Sequence, residues 1–179
     1  MKYLKYVLFI VLAAALSNII NAQDAPKPKP SPLCKISQDI ALTNVTIEYS
    51  RPGAKGRKIF GGLVPFDKVW RTGANAATKI TLKQDATIGG KDIPARDYSI
   101  YTIPGENEWT VMFNNKLDGG MNYPEGDDQI RFQVKPEKLT DFVETFTIEF
   151  SDITDTSANI VLSWENTKVK FPIVFKTGK

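Results

Sequence analysis

Residues 51–71 hold six cations, Arg51, Lys55, Arg57, Lys58, Lys68 and Arg71, against one acid, Asp67. Glycines at 53, 56, 61 and 62 are interspersed among them, and a residue without a Cβ lets backbone amides approach a ligand closely. A guanidinium fork matches a carboxylate or phosphate through two parallel hydrogen bonds. The chemistry on offer is capture of a small anion by Arg51, Arg57 and Arg71 acting as one constellation with Trp70 and Asn75. Trp70 and Tyr101 are candidates for the wall of such a pocket, and a flat ring there would also suit a sugar. The same arginines have a plainer use, which is to pair with Glu48, Glu108 or Glu165 and lock a long crossover onto the sheets. A nucleotide phosphate loop is excluded, because Gly61 continues into Gly62-Leu63 and not into Lys followed by Ser or Thr.

Catalytic chemistry has few candidates. The chain has no histidine and one cysteine, Cys34, which excludes a Ser-His-Asp triad, a Cys-His dyad, a histidine-bearing zinc site and an intramolecular disulfide. Carboxylates near the cationic segment remain: Glu48, Asp67, Glu108 and Glu165. Glycan hydrolysis needs two carboxyl groups roughly 5 to 10 Å apart, a separation that no spacing supplies, so no residue is assigned a catalytic role. The acids Asp118, Glu125, Asp127 and Asp128 lack the alternating Asp-x-Asp-x-Asp-Gly loop of a calcium site and are read as a solvated loop. Neither a metal nor a cofactor is expected.

The elements that must position these residues show a period of two. Val45, Ile47 and Tyr49 alternate with polar residues, as do Ile130, Phe132 and Val134, and Phe146, Ile148 and Phe150. Similar runs cover 78–83, 98–103, 109–114, 158–164 and 169–175, with Gly89-Gly90 turning a hairpin between 86–88 and 91–93. No sustained helical stripe follows residue 32. The expected fold is all-β, an antiparallel β-sandwich or jelly-roll-like single domain over 33–176. Trp109 and Trp164 share a face with aliphatic residues and are expected in the core. Pro172 has no amide donor and belongs at a sheet edge or facing away from the ladder. The segments 51–71 and 115–128 interrupt the strand rhythm, and long connections on a rigid scaffold are where sites usually lie.

The first 32 residues are of another kind. Lys2 and Lys5 precede an apolar run, 7–16, and Asn21-Ala22-Gln23 completes the layout of a signal peptide over 1–22. The run is too short to span hydrocarbon, so no membrane span is expected in the mature chain. Prolines at 26, 28, 30 and 32 make 23–32 an extended Pro-rich leader. The expected location is the periplasm or the cell exterior. Residues 1–22 hold two of the 23 cations and none of the 20 acids, so the remainder is close to neutral and nucleic acid is not an expected partner.

Tyr49-Ser50-Arg51-Pro52, Lys55 to Gly61, Leu63-Val64-Pro65-Phe66 and the block Val69-Trp70-Arg71-Thr72-Gly73-Ala74-Asn75-Ala76-Ala77-Thr78 resemble the signature of the domain-of-unknown-function 2911 family. Tyr98 to Pro104, Glu108-Trp109-Thr110 and Ser163-Trp164-Glu165 extend the resemblance over about 31–175. It implies an exported protein of Bacteroidetes type and brings no activity with it. Pro94-Ala95-Arg96 departs from the family's Pro-Ala-Gly, which implies a turn rebuilt with Asp97 as its polar cap. The expectation is a non-catalytic binding or accessory domain with a small anionic or carbohydrate ligand at Arg51, Arg57, Trp70, Arg71, Asn75 and Tyr101. A carboxylate-dependent glycan hydrolase and a structural cell-envelope protein are the alternatives, and the oligomeric state is left open.

Overall fold

The computed structural model describes residues 27–117, 119 and 122–176. The expected signal segment, the first residues of the leader and Asp118 of the acidic loop lie outside the described residues. Ten strands follow in order: β1 (Leu33–Ile40), β2 (Thr43–Ser50), β3 (Thr78–Leu82), β4 (Ala86–Ile88), β5 (Lys91–Ile93), β6 (Asp97–Ile103), β7 (Trp109–Asn114), β8 (Asp128–Val134), β9 (Glu137–Ser151) and β10 (Ser157–Phe175). They form a six-stranded sheet, β1-β2-β3-β6-β7-β8, and a four-stranded sheet, β5-β4-β10-β9, with every pairing antiparallel. The alternating apolar residues of both sheets meet in one core, so the expected sandwich is the fold. No helix occurs among the described residues.

Local chemistry explains most of the connections. Gly89 and Gly90 both have positive φ, the requirement of a type I′ hairpin between β4 and β5. Gly89 has a second reason to lack a side chain, since a Cβ there would come within 2.4 Å of the Phe132 ring on β8. Pro172 lies at the rung where the β10–β4 ladder runs out into this turn: its carbonyl accepts from the Gly89 amide at 3.0 Å, and it has no hydrogen to return. Arg96 is not in the left-handed region. Its turn is capped by Asp85, whose carboxylate accepts from the Ala95 amide at 2.8 Å, and Asp97 instead opens β6.

Two expected strands, 158–164 and 169–175, are one. Burial along β10 falls on even positions from Ala158 to Trp164, with Val161 covered as well, and on odd positions from Val169 to Phe175. A bulge centred on Glu165 makes the switch, with register shifts on both sides of it and a positive φ of 56°. One strand can thereby fill the core along its whole length.

The 51–77 connection joins β2 to β3, which are neighbours in the same sheet, yet it travels to the opposite sheet and back. Near its start, Ala54 donates to the Glu144 carbonyl and Phe146 to the Pro52 carbonyl, so the connection pairs with β9. Near its end, Trp70 and Thr102 exchange backbone hydrogen bonds at 2.7 and 2.9 Å, which returns the chain to β6. Its buried Ile59, Phe60, Val64 and Trp70 belong to the common core. The crossover therefore links the two sheets at one end of the sandwich.

Candidate functional site

The aromatic residues of the crossover meet those of the strands in one block. Phe60 lies 4.8 Å from Trp109 between ring centroids, Trp70 lies 5.0 Å from Phe146, and Trp70 stacks on Trp164 at 5.9 Å. Trp109 and Trp164 are buried, as the strand periodicity requires. Trp70 is also nearly covered, at 8% exposure, and its indole NH donates to the Gly73 carbonyl at 3.0 Å. The Trp164 NH donates to the Glu144 carbonyl at 3.2 Å.

A cleft of about 270 Å³ opens beside Trp70 and Trp164. Pro52, Leu63, Val64, Pro65 and Val69 supply aliphatic wall, Gly73 and Ala74 supply backbone and a methyl, and Lys68 and Arg71 are its charged residues. The Nε of Arg71 is buried and has no hydrogen-bond partner among the described residues. No ion pair among the described residues includes Arg71. A buried donor without an acceptor costs on the order of 1–3 kcal/mol, more when charged, so such a group calls for an explanation. The local backbone is also unusual: Thr72 is fully buried with φ at 55°, a poor conformation for a β-branched residue. Its hydroxyl donates to Thr102 Oγ1 at 3.2 Å, and its carbonyl accepts from the Thr78 hydroxyl. These bonds hold the segment between Trp70 and Asn75 in its turn.

Of the six residues expected to bind ligand, Trp70 and Arg71 line this cleft, and the other four have different surroundings. Arg51 donates from Nε to the Phe146 carbonyl at 3.1 Å and from Nη2 to Thr147 Oγ1 at 2.8 Å, which ties the crossover to β9. Arg57 turns back on its own loop, donating to the carbonyls of Ala54 at 2.9 Å and Gly53 at 2.8 Å. Asn75, at φ 60°, donates to the Ser31 carbonyl and to Ser50 Oγ, both at 3.2 Å. Tyr101 is buried on the far side of β6, in edge contact with Tyr123 at 5.1 Å. The structural use foreseen for the arginines, locking the crossover onto the sheets, is seen at Arg51 through a carbonyl and a hydroxyl and not through Glu48, Glu108 or Glu165, whereas Arg57 closes on its own loop. Backbone acceptors carry no sequence signal, which is why that pairing was not legible. The rest of the cleft lining was missed from sequence: it comes from Pro52, from 63–65, 68–69 and 73–74 of the crossover, and from Trp164 on β10.

The carboxylates are dispersed. Glu48 accepts from Lys35 at 3.2 Å and Lys79 at 3.5 Å, and the Lys35 hydrogen bond, with Lys79 beside it, holds its carboxyl below the ordinary range. A group so held is ionised at neutral pH and is a poor proton donor. Asp67 and Glu108 are exposed, and Glu165 sits in the β10 bulge. A second cleft, also about 270 Å³, lies beside Phe60, Phe66 and Trp109, and Glu106 and Glu137 are on its lining. Among the described residues no group of three or more His, Cys, Asp or Glu is placed to hold a metal ion. Asp128 of the acidic loop is engaged by Arg131 at 3.0 Å and by the hydroxyl of Tyr123.

No curated protein and no solved structure matches the chain. One family model does, over residues 31–173, which take in the crossover, the Trp70–Arg71 cleft and the bulge of β10, and its description is "Protein of unknown function (DUF2911)". By that match, which covers most of its length, the chain belongs to the DUF2911 family.

Proposed function

We propose that the protein is an exported, non-catalytic binding domain that holds a small anionic ligand in the cleft lined by Trp70, Trp164 and Arg71. The observation that carries the reading is the Arg71 side chain on a mostly apolar lining, with no ion pair to its guanidinium among the described residues. An anion seated in the cleft gives that guanidinium a charged partner, and a charge-assisted bond is of the stronger kind. Lys68 adds a second positive charge, and no acidic side chain lines the cleft to cancel them. Export to the periplasm or cell exterior belongs to the same proposal, supported by the layout of residues 1–23.

The experiment is a thermal-shift series on residues 23–179 with inorganic and organic anions. A ligand that binds only the native state raises the midpoint by mass action. The expected result is a rise with at least one anion that Arg71→Gln removes. No rise with any anion, in a folded protein, overturns the proposal and leaves the structural cell-envelope role. The hydrolase reading draws on Glu106 and Glu137, which share the second cleft. Turnover of a glycan that is lost on Glu137→Gln would establish it in place of binding.

A further inference from the structure

We infer that the ligand of the Trp70–Arg71 cleft is an amphiphilic carboxylate, a compact aromatic or aliphatic body carrying one carboxylate group. The inference rests on the anion-binding reading above and adds to it the class of ligand. Its first ground is the hydrogen-bonding character of the lining. Lys68 and Arg71 are the polar side chains there apart from two indoles, and both indole NH groups are already committed, to the carbonyls of Gly73 and Glu144. The side chains thus offer cationic donors and no acceptor. A sugar brings hydroxyl donors around its whole ring, and those facing this wall would be buried unsatisfied. A carboxylate brings acceptors alone, and a single guanidinium with a nearby ammonium suits it.

The second ground is the apolar remainder. Pro52, Val64, Pro65, Trp70 and Trp164 face the same space as the cations, and a bare phosphate would be desolvated against them with nothing gained from the carbon surface. Leu63 and Val69, also on the lining, are 47% and 41% exposed, so large apolar side chains stand open to solvent at this cleft. A ligand body that covers them removes that surface from water. An apolar cavity of about 150 Å³ accommodates benzene, and about 270 Å³ therefore holds a six-membered ring with a short acidic arm.

The test is isothermal titration of residues 23–179 with 3-phenylpropionate, acetate, inorganic phosphate and the neutral 3-phenylpropanamide. The expected result is that 3-phenylpropionate binds at least tenfold more tightly than each of the other three. Arg71→Gln should weaken it by a further tenfold or more. Should that variant not fold, Val69→Asp places a negative charge on the exposed lining and should weaken it likewise. Acetate or phosphate binding as tightly as 3-phenylpropionate overturns the amphiphilic class and leaves the anion site standing. The amide binding as tightly as the acid overturns the carboxylate contact. Binding of none of the anions overturns this inference together with the reading on which it rests.

Discussion

Trp70, from the crossover, and Trp164, from the even-parity half of β10, stack with ring centroids 5.9 Å apart and planes 23° from parallel. One ring is carried by a long loop and the other by the longest strand, so the contact joins the segment that carries the cations to the rigid sheet beneath. Both rings bury one side in the core and line the cleft with another part. A residue in this position serves stability and ligand shape at once, and the two roles separate under different substitutions.

Trp164→Ala is expected to destabilise by about 3–5 kcal/mol, the usual cost of truncating a buried tryptophan. Trp70→Phe keeps an aromatic body and loses the bond to Gly73, so a cost of about 1–2 kcal/mol is expected. Urea unfolding at constant slope measures both. A Trp164→Ala protein within about 1 kcal/mol of the parent would show that the aromatic block does not hold the crossover down.

Arg51→Gln is expected to cost about 1–3 kcal/mol through the lost bonds to Phe146 and Thr147 and to leave anion binding unchanged. Arg57→Gln, whose fork closes only on its own loop, is expected within about 1 kcal/mol of the parent. Denaturation and anion titration of the same two variants check this. Loss of anion affinity in either one would restore the three arginines to a single binding constellation.

The sandwich was legible because burial follows a period of two wherever a strand has one buried face, as at Val45, Ile47 and Tyr49. β1 was not. Its apolar residues Cys34 and Ile36 are only half covered on an edge strand, and its turn, Ala41-Leu42, contains none of the residues that mark hairpins. The bulge at Glu165 was seen only as a gap between two runs, since a change of parity looks the same in sequence as the end of a strand. In the site, Trp70 and Arg71 were legible from a tryptophan beside an arginine within a cationic loop. The partners of Arg51, Arg57 and Asn75 were not, because backbone carbonyls are the same at every position.

The Ala41-Leu42 turn yields a prediction of the opposite sign. Ala41 has φ of 56° and Leu42 is not in the left-handed region, the φ pattern of a type II′ turn, which favours glycine at its first central position. Ala41→Gly should therefore stabilise by about 0.5–1 kcal/mol, less whatever contact its methyl makes with the core. An unchanged or lower urea midpoint would show that the turn is not strained at Ala41.

Alkaline unfolding should begin at the tyrosines. Burial pushes the Tyr49 phenol up to about 12, against the lowering effect of the backbone bond to Ile148 and of Arg51, with Cys34 on the paired strand adding to the rise. Burial and the hydrogen bond to Asp128 raise Tyr123 to about 12 as well, against the lowering effect of Arg131. A phenol whose pKa is higher in the folded chain contributes its stabilisation fully below the unfolded value near 10, and loses it as pH rises toward 12, because the unfolded chain releases the proton first. Stability should fall across that window, and Tyr49→Phe should flatten the fall by removing one of three contributing phenols, the third being Tyr98, which burial also raises. At neutral pH the same variant loses the pair of bonds that Tyr49 makes with Ile148, donating to its carbonyl at 3.2 Å and accepting from its amide at 2.9 Å, so it starts about 1–3 kcal/mol lower. The two stability curves should therefore converge as pH rises. Parallel curves across the alkaline window, measured by urea unfolding at successive pH values, would mean that Tyr49 titrates alike in the folded and unfolded chains and that its burial does not govern its proton.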